Sequence, residues 1–191
     1  MTEPSLFGIS KSTWDLVNGF ANWFAAVGSF AAAAVALHIA NRSARPTARF
    51  SVGHRITIRP GDKPPYPEYV VFRVVNTGDR PIRIVQIGWS VRWPQRRAAI
   101  QQFEQIHSST LPVDLSHGQE ALWFVPLAPT SEEPWPEYFA RGMLMPSHRL
   151  SLWCIRAQAF SSVGYVFSAR PEHGLVQRLR EACERLARNA A

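Results

Sequence analysis

The 191-residue sequence predicts a mainly β fold, with a transmembrane helix, then an antiparallel β-sandwich of about seven strands, then an amphipathic helix. Three observations carry this. Residues 16–40 contain no Asp, Glu, Lys or Arg. From Ala48 the apolar spacing changes from helical to two. Short apolar runs then alternate with Pro- and Gly-rich turns, with no long helix between them. The chain accordingly reads as three segments. Residues 1–47 hold a tail, a span at about 16–40 and a basic linker; 48–170 form the sandwich; 171–191 form the C-terminal helix.

Taken as one helix, Leu16 to Ala40 reaches about 37 Å, more than the roughly 30 Å of bilayer hydrocarbon. Its polar residues Asn18, Asn22, Ser29 and His38 make no continuous stripe, which a core helix of a soluble domain would show. Its strong apolar residues contribute roughly −3 to −5 kcal/mol toward insertion, and Asn22 and His38 take some of that back. The rivals are a buried or groove-bound helix and a cleaved signal peptide. The latter needs a basic start and a shorter apolar region. Trp14 and Trp23 suit a membrane interface, and Arg42, Arg45 and Arg49 follow the span, against Lys11, Glu3 and Asp15 before it. The positive-inside rule then puts the N-terminus outside and the remainder in the cytoplasm. Gly28, Ala32, Ala36 and Ala40 recur every four residues, a spacing that lets two helices approach closely.

Past Pro46, Ala48, Phe50, Val52, Ile56 and Ile58 alternate with polar residues as a half-buried strand. His54 interrupts the apolar face and reads as a core-edge histidine with a backbone partner. GDKPPYPE (61–68) is a loop, YVVFRVV (69–75) a central strand and NTGDRP (76–81) a turn. A third strand runs Ile82–Trp93, with Val85, Ile87, Trp89, Val91 and Trp93 on one face. Residues 95–110 fit either a helix or a twisted edge strand. Residues 121–127 form a strand, one or two helical turns lie around Glu137–Met143, and 150–160 pairs with 165–170 as a hairpin. Trp89, Trp153 and Phe72 are the expected large core side chains.

An apolar N-terminal helix, arginines, an alternating strand, VVNTGDRPIRIVQIGW and LPVDLSHGQEALWFVPL together resemble a group of small bacterial membrane-anchored proteins. In these a single span precedes an immunoglobulin-like sandwich. The resemblance implies that fold and an inner (cytoplasmic) membrane location. It carries turn and strand motifs, and no catalytic residue or activity.

In the tail, Leu175, Leu179, Ala182, Cys183 and Leu186 share a face, away from Arg178, Arg185 and Arg188. This helix caps the sandwich, lies on the anionic leaflet, or pairs with another chain.

Charged residues are 18% of the chain and hydrophobic ones 46%, with a net charge of +7 that is almost all arginine. Such a balance suits anionic lipid or nucleic acid. Cys154 and Cys183 read as reduced, packed thiols. The six histidines have no metal-ligand spacing, and GxSxG, HExxH, Walker and GxGxxG motifs are absent. No enzyme activity, cofactor or metal is therefore expected. Trp93 with Arg96 and Arg97 is the candidate binding patch, able to stack a base and hold phosphate; solvated charges near the leaflet explain it equally. The expected function is a single-pass membrane-anchored binding or scaffold module, an accessory subunit of a membrane complex. Its expected partners are membrane lipid and another membrane protein, or a second copy, through the N-terminal helix; nucleic acid is not expected. The alternative is a soluble basic oligomeric module that binds nucleic acid.

Overall fold

The computed structural model describes residues 11–43, 45–58, 60–61, 63–128 and 133–189, and divides the chain into two units, Met1–Arg45 and Pro46–Ala191. Among the described residues of the first unit there is one helix, α1 (Lys11–Ser43), of 33 residues. Within it Thr13–Ala40 is long and apolar enough to cross a membrane. Ten large apolar side chains of α1, from Leu16 to Ile39, are bare, with Phe30 80% exposed. A helix apolar on all sides has no intrinsic preference for water, since each such side chain gains about 1.5–3 kcal/mol on full burial.

The second unit contains eight described strands in two antiparallel sheets. The smaller has the order β1 (Ala48–Ile56), β2 (Glu68–Asn76), β6 (Glu120–Pro126). The larger has the order β4 (Arg97–Ile100), β3 (Ile82–Val91), β7 (Ile155–Ser161), β8 (Val166–Ala169), with β5 (Val113–Leu115) also on β3. A short helix α2 (Trp135–Phe139), a π-helical turn (Ala140–Leu144), α3 (His148–Cys154) and α4 (His173–Asn189) complete it. Among the described residues helix outweighs strand, 37% to 32%, so "mainly β" describes only the part after Pro46. The length of α1 is the main reason.

The inward faces of both sheets share one core. Phe72 of β2 meets Trp89 of β3 edge to face, ring centroids 5.1 Å apart, and Trp89 also packs on Phe139 at 5.1 Å. Asn76, at the end of β2, joins the sheets. It is fully buried, its amide donates to the carbonyls of Arg80 and Leu115 at 2.8 Å each, and its Oδ1 accepts from Gly78 N–H at 2.9 Å. The NTGDRP turn is thus a polar staple as well as a chain reversal.

Three expectations are corrected here. A β-bulge between Ile84 and Gln86 shifts the phase of β3, so Ile82 and Ile84 point inward before it and Ile87, Trp89 and Val91 after it. Val85 and Trp93, 40% and 53% exposed, lie outside the core. Residues 148–154 are helical, and only from Ile155 does the period of two begin, so Trp153 is 69% exposed. Finally, His54 bonds the Glu68 carboxylate at 3.0 Å rather than a backbone group. The ambiguous 95–110 stretch contributes β4 as an edge strand. It then crosses to the other sheet, where Glu104 N–H donates to the Phe124 carbonyl at 2.9 Å.

Helix α4 closes the core with Leu175, Leu179, Ala182 and Cys183, all fully buried. Three ion pairs fasten the helix: a two-pronged Arg55–Glu172 contact (2.7 and 2.8 Å) just before its start, and Arg178–Glu68 (2.9 Å) and Arg185–Glu137 (2.5 Å) along it. The Arg55 hydrogen bonds hold the Glu172 carboxyl below the usual carboxylate range.

Candidate functional site

The alternation that fills the core also builds the outer face of the larger sheet. On β7, Ile155, Ala157 and Ala159 are fully buried, so Arg156 and Gln158 point outward. On β3, Ser90 stands between buried Trp89 and Val91. Register sets Ser90 beside Arg156, and Gln158 beside Ser168 of β8. Arg92 and Arg170 follow one residue past the ends of β3 and β8.

The junction of α3 and β7 brings an indole to this face. The backbone turns extended at Ile155 (φ −63°, ψ 138°), which leaves Trp153 at the helix end. Arg170 donates from Nη2 to the Trp153 carbonyl at 3.2 Å, tying the end of β8 to that junction. The contact also satisfies one of the carbonyls that every helix leaves unbonded at its C-terminus.

Two cavities share Trp153 and Arg170. The first, about 360 Å³, is lined further by Ser90, Arg92, Cys154, Arg156, Gln158 and Ser168. The second, about 430 Å³, is lined by His148, Arg149, Leu152, Val176, Arg180 and Glu184. Five arginines therefore converge here against one carboxylate, Glu184. Among the described residues Arg92, Arg149, Arg156 and Arg180 form no ion pair, whereas Arg55, Arg73, Arg83, Arg141, Arg178 and Arg185 each face a carboxylate. Gathered cations repel one another, and a bound anion relieves that repulsion. The guanidinium fork matches phosphate and carboxylate oxygens, and an indole face adds stacking.

Of the patch read from the sequence, Trp93 and Arg96 are exposed in the turn after β3. Arg97 turns the other way: its Nη1 donates to the carbonyls of Gly142 (3.0 Å) and Met145 (2.8 Å), closing the end of the π-helical turn. On α1, Gly28, Ala32, Ala36 and Ala40 are exposed, as is Trp23, which meets Phe24 edge to face at 5.8 Å, while Trp14 is half-buried. Arg45 and Arg49 are exposed; the side chain of Arg42, like those of Glu3 and Lys11, lies outside the described residues. Asp114 pairs with Arg83 at 3.8 Å, whereas His117 bonds the Gly78 carbonyl. No group of three or more metal-ligating side chains occurs among the described residues. Sequence reasoning missed the cleft itself. Its signals were the Arg156/Gln158 alternation, which a strand over 150–160 already contains, and the Arg149–Trp153 spacing of four, which that assignment hid.

The two cysteines differ. Cys183 is fully buried and burial lifts its thiol to about 11; Cys154 is half-buried and lines the first cavity. Comparison with known protein families and with curated proteins finds no match for this chain.

Proposed function

We propose that this protein is a single-pass membrane-anchored binding module. In this reading α1 spans the inner membrane with its N-terminus outside, Arg42, Arg45 and Arg49 hold the cytoplasmic side, and the two sheets form a cytoplasmic immunoglobulin-like sandwich. The arginine–tryptophan cleft is the ligand face. The small-residue face of Gly28, Ala32, Ala36 and Ala40 receives a second membrane helix, which suits an accessory subunit of a membrane complex. Catalysis has no place in it: the cleft is dominated by groups that hold an anion.

The observation that supports the reading most is the apolar surface of α1. The 28 residues Thr13–Ala40 extend about 42 Å, with large apolar side chains bare along the whole length. Hydrocarbon is the medium that stabilises such a surface. The test is fractionation of cells expressing the full chain. The protein is expected to stay with membranes through a high-salt and an alkaline carbonate wash and to leave only with detergent. Recovery in the soluble pool without detergent would overturn the anchor. Reporter fusions after residue 191 are expected to be active only in the cytoplasm.

A further inference from the structure

We infer that the cleft binds a nucleotide, with phosphates among the arginines and the base against Trp153; this rests on reading the second unit as a binding module. Four features point to that ligand. First, the cavities of about 360 and 430 Å³ are of small-molecule size and share one aromatic side chain. Second, Arg92, Arg156 and Arg170 line the first cavity with no acidic residue among its lining, so several phosphate oxygens are accommodated without a competing carboxylate. Third, Trp153 is 69% exposed, so its ring offers a stacking face to a base, and Arg170 holds its backbone at the mouth of both cavities. Fourth, Ser90, Gln158 and Ser168 stand beside the arginines as neutral hydrogen-bonding groups of the kind that read sugar hydroxyls or base edges.

The competing anions fit less well. A phospholipid headgroup has the phosphate but no aromatic ring to stack on the indole. A long single strand needs a basic track running beyond one cleft. On α4, Glu184 follows Arg180 by one helical turn and lines the second cavity, so a carboxylate interrupts such a track.

The experiment is titration calorimetry on the full chain in neutral detergent micelles, with ATP and inorganic triphosphate as probes. These carry equal phosphate chains and differ in the nucleoside. ATP is expected to bind at least tenfold tighter than triphosphate. Trp153→Ala, at an exposed position, is expected to abolish that preference while leaving triphosphate binding unchanged. Arg156→Gln is expected to weaken both probes at least tenfold. A second readout is site-specific: ATP should slow alkylation of Cys154, the half-buried thiol of the cleft, while Cys183 stays unreactive in the core. Equal affinity for the two probes would overturn the nucleotide assignment, as would absence of binding at millimolar ATP. So would binding of glycerophosphoglycerol, the soluble headgroup of phosphatidylglycerol, as tightly as ATP, or tight binding of an oligothymidylate without ATP competition. The outcome is independent of the fractionation test, because calorimetry in detergent reads the cleft whether or not α1 crosses a bilayer in the cell.

Discussion

Substituting Asn76→Asp tests how the two sheets are held together. The replacement is nearly isosteric, so packing is preserved and only hydrogen bonding changes. Asn76 is fully buried and its amide donates two hydrogen bonds, to Arg80 O and Leu115 O, both at 2.8 Å. A carboxylate keeps the bond from Gly78 N–H and loses both donors, while its second oxygen faces two carbonyl oxygens. Losing a net hydrogen bond costs about 1 kcal/mol and leaving a buried carbonyl unpaired about 1–3 kcal/mol, so the change should cost about 3–5 kcal/mol at neutral pH. The sign with pH follows. Burial without a cation raises the folded pKa of an Asp at position 76 above its unfolded value of about 3.9. Its protonated form regains one donor. The variant's deficit is therefore smallest below about pH 4 and grows as pH rises through the folded pKa. Urea denaturation of the full chain in mild detergent, followed by the fluorescence of buried Trp89 and Trp123, reads the effect. With a slope of about 2 kcal/mol per M the midpoint should fall by about 1.5–2.5 M at pH 7. A fall of less than about 0.3 M, or a deficit that widens on acidification, would refute the account of Asn76 as the staple.

Two further outcomes follow from the core. Cys183→Ala removes a buried thiol whose folded pKa is raised to about 11 from 9.0. The neutral thiol's contribution is complete below pH 9.0 and is lost as pH rises toward about 11. Wild-type stability should thus drop by about 2–3 kcal/mol more than the variant's over that window, as measured by denaturation at stepped pH. Gly88→Ala places a methyl against the Ala99 carbonyl oxygen of the neighbouring strand, backbone against backbone. It should destabilise by about 1–3 kcal/mol and raise hydrogen exchange selectively across 97–101, with β7 still protected.

Much of this architecture is legible in the sequence, because it rests on local periodicity. A charge-free run of 25 residues rich in alanine marks α1 as a long apolar helix, and the spacing of Leu175, Leu179, Ala182 and Cys183 marks α4 as amphipathic. The dense Val and Phe of β2 place it at the centre of its sheet, between β1 and β6. The apolar face of β1 reads less well, since Ile56 and Ile58 are 52% and 67% exposed although they continue the pattern of Phe50 and Val52. Cover at that end depends on strand length in the neighbours, which no local pattern records.

What the amino-acid order determined alone is the division into an apolar helix, a strand-rich middle and an amphipathic C-terminal helix, since each follows from the spacing of side chains along one element. Tertiary structure decided the phase of β3 and the fate of Trp153, because a single inserted residue or a helix-to-strand switch reverses which side faces inward. It also decided which arginines are neutralised. Glu68, Glu137 and Glu172 reach their cations across 110, 48 and 117 residues, and only the folded chain gathers around one exposed indole Arg92, Arg149, Arg156 and Arg180, which form no ion pair among the described residues.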